Sequence, residues 1–174
     1  MKIALLYDFD KTLSDRDMQE YGFIEDLGFK DPAEFWDLVD QQAKSNSMDH
    51  ILAYLYEMVH QSALKGHTLT KEGLRAYATR VELYPGVRSW FEVIYLYGVT
   101  MGYEVEHYIV SSGLKEIIEA TPIAQYFTKI YACEFNYDEH KQAIWPKLVV
   151  NYTMKTQFIY RINKGVLDIN NDED

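Results

Sequence analysis

The chain has 174 residues, 48% of them apolar and 25% charged, which is one domain's worth of sequence with enough apolar material for a core. Acidic residues outnumber basic ones 27 to 17, a formal net charge of −10, and this argues against a nucleic-acid partner, whose phosphates call for a basic face. The single cysteine, Cys133, excludes an internal disulfide and a multi-cysteine metal site; no stretch approaches the ~18 apolar residues of a membrane span, and the apolar run near the start is too short for a signal-peptide core, so the expectation is a cytoplasmic protein with no membrane partner.

That first run, Ile3 to Tyr7, stops at Asp8. A short continuous apolar stretch suits a strand buried on both faces of a parallel sheet. Residues 17–81 then read as helical. Met18, Phe23, Ile24 and Leu27 fall near a 3.6-residue period, and Asp31-Pro32 is a cap followed by a first-turn proline that opens a second helix. Ser45 to Ser47 marks a break, Ile51 to Met58 a third helix, and Thr70 opens a fourth that runs to about Val81. Pro85-Gly86 is a turn signal. Beyond it come a helix over Val87 to Tyr97, a strand over Val105 to Val110 ending at Ser111-Ser112-Gly113, and a short helix from Leu114 to Ala120. A strand at Ile130 to Phe135, a hairpin partner within Ala143 to Tyr152 and a helix around Gln157 to Ile162 complete the pattern. This order predicts an α/β fold with a helical excursion after the first strand. Charge follows the same division. Residues 14–84 hold 13 acidic and 7 basic side chains, residues 168–174 hold 4 acidic and none basic, and the remainder balances at 10 against 10.

Three features carry chemistry. Asp8-Phe9-Asp10-Lys11-Thr12-Leu13 sets two carboxylates two residues apart at a strand end, which is electrostatically costly unless a cation or a proton shares the space. A hard cation such as Mg²⁺ would answer that, with Asp8 as an oxygen ligand. Asp8 could also attack phosphorus, and Asp10 could act as general acid and base. Second, Ser111-Ser112-Gly113 places a hydroxyl and small-residue backbone N–H groups at a matching strand end, a pattern suited to phosphate oxygens. Third, phosphoryl transfer calls for a nearby ammonium. Lys141, Lys147, Lys155 and Lys164 are the candidates, and Lys155 lies where a helix start could reach back to the strand ends.

Together these features resemble the haloacid dehalogenase superfamily. Asp8 to Leu13 looks like its first motif, Ser111 like its second and Lys155 like its third. Leu83-Tyr84-Pro85-Gly86-Val87 looks like the point where phosphoserine-phosphatase-like members re-enter the core after a helical cap. The resemblance implies a Rossmann-like core over 1–13 and 85–174 with a helical cap over 14–84. It implies a Mg²⁺-dependent phosphatase acting on a small phosphorylated substrate through an aspartyl-phosphate. Asp8 would be the nucleophile and Asp10 the proton donor and acceptor. Ser111, Ser112, Gly113 and Lys155 would hold the phosphoryl group, and Asp8 with the Asp10 carbonyl would hold the metal. A non-catalytic partner-binding domain on the same fold is the alternative.

One departure stands out. The family's fourth motif, an acidic cluster that completes the metal site, has no counterpart. Asp168 to Asp174 is the nearest acidic run, and it reads as a solvated tail with only a passing likeness to a calcium loop. The 103 residues outside the helical segment support about three or four strands. The expectation is therefore a C-terminally truncated core with weak or no activity, its first strand exposed as an edge through which two copies could pair.

Overall fold

The computed structural model describes residues 1–171. Asp172, Glu173 and Asp174, and with them most of the acidic tail, lie outside the described residues. Four strands, β1 (Lys2–Tyr7), β2 (Glu104–Leu114), β3 (Phe127–Tyr137) and β4 (Ala143–Leu148), form one sheet in the order β1-β2-β3-β4. β1, β2 and β3 run parallel, and β4 returns antiparallel on β3 as the predicted hairpin. The architecture is α/β with a mixed sheet rather than a wholly parallel one.

Among the described residues β1 pairs only with β2, in a register that sets Tyr7 beside Ile109. It is an edge strand, as the sequence predicts. None of its apolar residues reaches full burial, although a continuous apolar run is the signature of a strand covered on both faces.

Between β1 and β2 lie the helices α1 (Phe23–Asp26), α2 (Pro32–Asn46), α3 (His50–Leu64) and α4 (Lys71–Ala76). The predicted caps form. Asp31 accepts from the Ala33 N–H and Thr70 from the Gly73 N–H. The first predicted helix is shorter than its periodicity suggests. A 3-10 turn at Met18–Glu20 gives way to α1 through Gly22, whose φ of 124° lies in a region that favours glycine. Two chain passes connect this helical segment to the sheet. Ser14 bridges Leu83, and the Tyr84 N–H donates to the Leu13 carbonyl at 2.9 Å. A second seam joins Thr70 to Gln142 at the hairpin.

α5 (Val87–Thr100) and α6 (Lys115–Ile118) connect the parallel strands, and α7 (Tyr152–Lys164) follows β4. Asn151 caps α7 by accepting from the Met154 N–H, and its own amide reaches Asp49, the cap of α3, at 3.3 Å. Phe158 fastens the helix to the sheet. It is fully buried and stacks on Tyr131 with ring centroids 4.3 Å apart. Phe158→Ala should therefore cost about 3–5 kcal/mol of stability by the usual measure for a large-to-small core change. Urea denaturation followed by far-UV circular dichroism would read it, and a loss under about 1 kcal/mol would mean that α7 is held elsewhere.

Candidate functional site

The site begins at the carboxyl end of β1. Past Tyr7 the chain turns sharply, and the Phe9 carbonyl accepts from the N–H groups of Thr12, Leu13 and Ser14. Lys11 takes the left-handed conformation with φ 57°, a geometry that costs a non-glycine residue about 1–2 kcal/mol. This turn sends Asp8 and Asp10 to the same cleft, and Lys11 ties it down by an ion pair to Asp17 at 2.5 Å.

The two carboxylates are compensated differently. Asp8 Oδ1 accepts from the Phe9 N–H at 2.8 Å, and Oδ2 receives the Lys155 ammonium at 2.6 Å. Lys155 comes from the first turns of α7, which Asn151 and Phe158 hold in place. Asp10 forms no ion pair among the described residues, and the Lys11 charge only partly offsets its surroundings. Its Oδ1 is buried without a hydrogen-bond partner among the described residues. Burial holds its carboxyl well above the usual carboxylate range, and the neighbouring charges of Asp17 and Asp8 push in the same direction. An N–H from Met18 opposes the rise.

β2 supplies the facing wall. The strand does not end at Val110, as the apolar pattern predicts. It continues through Ser111-Ser112-Gly113 to Leu114, with a register shift against β3 across that stretch. Ser111 is fully buried, and its Oγ accepts from the Gly113 N–H at 3.0 Å, which leaves the hydroxyl proton for another acceptor. The Ser112 hydroxyl donates to the Val150 carbonyl at 2.7 Å, and the Ser112 carbonyl accepts from Tyr54 of α3 at 2.6 Å. Gly113 makes a close approach to the site. A Cβ there would lie 2.2 Å from Met18 Cε and 2.8 Å from Asp10 Oδ2.

Asp8, Asp10, Ser111, Ser112, Gly113 and Lys155 thus line one cleft of about 520 Å³. Of the other candidate lysines, Lys147 pairs with Glu134 at 2.8 Å, Lys164 lies over the Tyr160 ring, and Lys141 sits exposed in the hairpin turn. The helical segment closes the far side with Gln19, Glu20, Trp36, Asp40, His50 and Tyr54. Of these only His50 stands out in the sequence, and it pairs with Asp40 at 3.0 Å. Gln19 and Trp36 carry no local signal, because their place in the cleft arises from helix packing.

No family model matches the sequence. An uncharacterized protein of Borreliella burgdorferi is 28% identical over 193 aligned positions, covering 94% of this chain and 65% of that protein. The chain therefore spans slightly less than two thirds of that relative. Among solved structures, a HAD-family hydrolase from Salmonella enterica serovar Typhi superimposes with a TM-score of 0.65 at 18% identity, over 95% of this chain and 52% of that one. The substrate-bound complex of a phosphoserine phosphatase gives 0.65 at 16% identity, over 94% of this chain and 71% of that one. A phosphoserine phosphohydrolase-like protein from Francisella tularensis gives 0.59 at 19% identity, over 97% and 74%. These likenesses show the fold: over the parts it covers, the chain folds as the HAD-family hydrolase and the phosphoserine-phosphatase-like proteins do.

Proposed function

We propose that this chain is the phosphohydrolase part of a Mg²⁺-dependent enzyme that cleaves a small phosphomonoester through an aspartyl-phosphate on Asp8. The observation that carries this reading is the pairing at the strand ends. Lys155 is 2.6 Å from Asp8 across 147 positions of sequence, while the neighbouring Asp10 is half-buried, with its Oδ1 buried, and disposed to keep its proton. Surface composition does not call for such a pair, whereas phosphoryl transfer needs both halves of it.

Asp8 attacks phosphorus as the ester oxygen leaves, and Asp10 delivers its proton to that oxygen. Asp10, now ionised, takes a proton from the water that attacks the aspartyl-phosphate, so Asp8 is regenerated and phosphate is released. Lys155 and the Ser111 hydroxyl hold the phosphoryl oxygens, and the ammonium offsets the charge that gathers on them. The walls of helical segment 14–84 limit the leaving group to a small molecule.

Mg²⁺ typically binds through one or two carboxylates, with waters and substrate phosphate filling the remaining positions. The Asp8 carboxylate, partly open to the cleft, suits that chemistry, with the backbone carbonyl of Asp10 as the second hard oxygen. Asp8 and Asp10 would hold the ion, which when bound supplies positive charge against the phosphoryl oxygens. No group of three or more His, Cys, Asp or Glu among the described residues is placed to hold a metal. With only Asp8 and the Asp10 carbonyl assigned to the ion, weak metal binding and slow turnover are expected. The edge position of β1 also leaves room for a second copy to pair there, and sedimentation across a concentration series reads that association.

With p-nitrophenyl phosphate as substrate, Asp8→Asn should reduce turnover to background and Asp10→Asn should lower kcat by roughly 10²–10⁴-fold. An Asp8→Asn protein that turns over like the parent would contradict the assignment. Chelation with EDTA should abolish activity and excess Mg²⁺ restore it, whereas full activity in EDTA would remove the metal from the account. Asp10 also makes a stability prediction that needs no turnover. Its carboxyl binds a proton more tightly folded than unfolded, so the stability it allows is intact below the ordinary carboxylate pKa. That stability is lost as pH rises toward the raised folded value. In chelated buffer, Asp10→Asn should melt above the parent at neutral pH and lose that advantage near pH ~4, and a pH-independent difference would argue against the raised value.

A further inference from the structure

The Asp8 cleft has two walls of different chemistry. The strand ends and the start of α7 carry Asp8, Ser111 and Lys155, and helical segment 14–84 forms the wall that a leaving group would meet. On that second wall stand Glu20 from the 3-10 turn and Trp36 and Asp37 from α2. None of these three has a part in the phosphoryl chemistry proposed above.

Charge on this wall is unbalanced. Three basic side chains line the cleft, and each is already paired: Lys155 with Asp8 at 2.6 Å, Lys11 with Asp17 at 2.5 Å and His50 with Asp40 at 3.0 Å. Glu20 and Asp37 form no ion pair among the described residues. The Lys11 charge reaches Glu20, but its ammonium sits on Asp17.

Trp36 adds a second attraction. It is half-buried, and its Nε1 donates to Glu20 Oε1 at 3.0 Å, which sets indole and carboxylate side by side. Phe35 and Tyr54 brace the ring edge-to-face, with centroids 5.3 Å and 6.2 Å away. Of the aromatic rings an indole attracts cations best, and a carboxylate beside it draws the same cation by charge. A leaving group that bears a carboxylate would meet Glu20 and Asp37 and find no unpaired cation among the lining residues. A neutral one would gain only contact with the ring.

We propose that the leaving group is a small organic cation, so that the substrate is the phosphomonoester of an amino alcohol with its ammonium seated against Trp36 and Glu20. This rests on the phosphohydrolase reading and names its substrate class. Phosphocholine and neohexyl phosphate provide the test, because they share one outline and differ only in a quaternary nitrogen replaced by carbon. Each is titrated with Mg²⁺ into the full chain carrying Asp8→Asn, which removes the proposed phosphoryl acceptor, and binding is read from the phosphorus NMR resonance of the ester. Phosphocholine should bind roughly three- to thirtyfold more tightly than neohexyl phosphate, the range of a cation–π contact in a partly desolvated site. Phosphoserine, which adds a carboxylate, should bind more weakly than phosphocholine. Glu20→Gln keeps an acceptor for the indole and removes the charge, and Trp36→Leu removes the ring; added to the same chain, each should bring the phosphocholine-to-neohexyl ratio toward one. Circular dichroism checks that both variants remain folded. Equal binding of the two esters, tighter binding of phosphoserine, or a ratio unchanged in both Glu20→Gln and Trp36→Leu would overturn the proposal and leave the phosphohydrolase reading standing. Binding of neither ester, or release of inorganic phosphate by the Asp8→Asn chain, would overturn that reading and the proposal with it.

Discussion

Two carboxylates held together at the end of a strand cannot both stay ionised and uncompensated, and the structure around Asp8 and Asp10 answers that constraint twice. Asp8 receives an ammonium at 2.6 Å, and Asp10 is placed where burial favours its protonated form. Asp8 is partly open to the cleft and paired with a cation, and its neighbour is disposed to hold a proton, the two settings that the proposed nucleophile and acid call for. The ion pair is partly exposed on both sides, so its contribution to folding is about 1 kcal/mol or less. Its consequence is positional, because it brings the start of α7 to the strand ends.

Much of the remaining architecture serves that placement. α7 is capped by Asn151, fastened by Phe158, and linked to the helical segment through Asp49. β2 passes close to Asp10, and a Cβ at Gly113 would force Met18 and Asp10 to shift. The Met18 that would collide with a larger residue there also accepts from the Leu114 N–H through its sulfur. The 3-10 turn of the helical segment is thus packed directly against the second strand end. Tyr54 of α3 makes a similar contact to the Ser112 carbonyl. The helical segment and the sheet share one cleft, with Asp8, Ser111 and Lys155 on one side and aromatic and acidic side chains on the other.

Parts of this were readable from sequence because they are local. The apolar run before Asp8, the caps at Asp31 and Thr70 and the hairpin after β3 are each set by neighbouring residues, and each forms. Lys155 could be singled out only by its position near a helix start, and packing then selects it over Lys141, Lys147 and Lys164. Other features could not be read locally. The first helix is interrupted at Gly22 because the chain must turn there with a positive φ. β2 extends through two serines and a glycine of low strand preference because Tyr54, Val150 and Met18 hold that stretch by hydrogen bonds. Gln19, Trp36 and Tyr54 enter the cleft through contacts between elements far apart in sequence, and no local pattern encodes those contacts.

The central claim is that Asp8 becomes covalently phosphorylated, and trapping that bond tests it most directly. The protein would be mixed with a phosphomonoester and Mg²⁺, quenched in acid within a single turnover and reduced with borohydride, which converts an acyl phosphate to an alcohol. Peptide mass spectrometry then locates the change. The account predicts homoserine at position 8 and an unmodified Asp10. Turnover in the same sample with Asp8 intact, or reduction at another carboxyl, would contradict it.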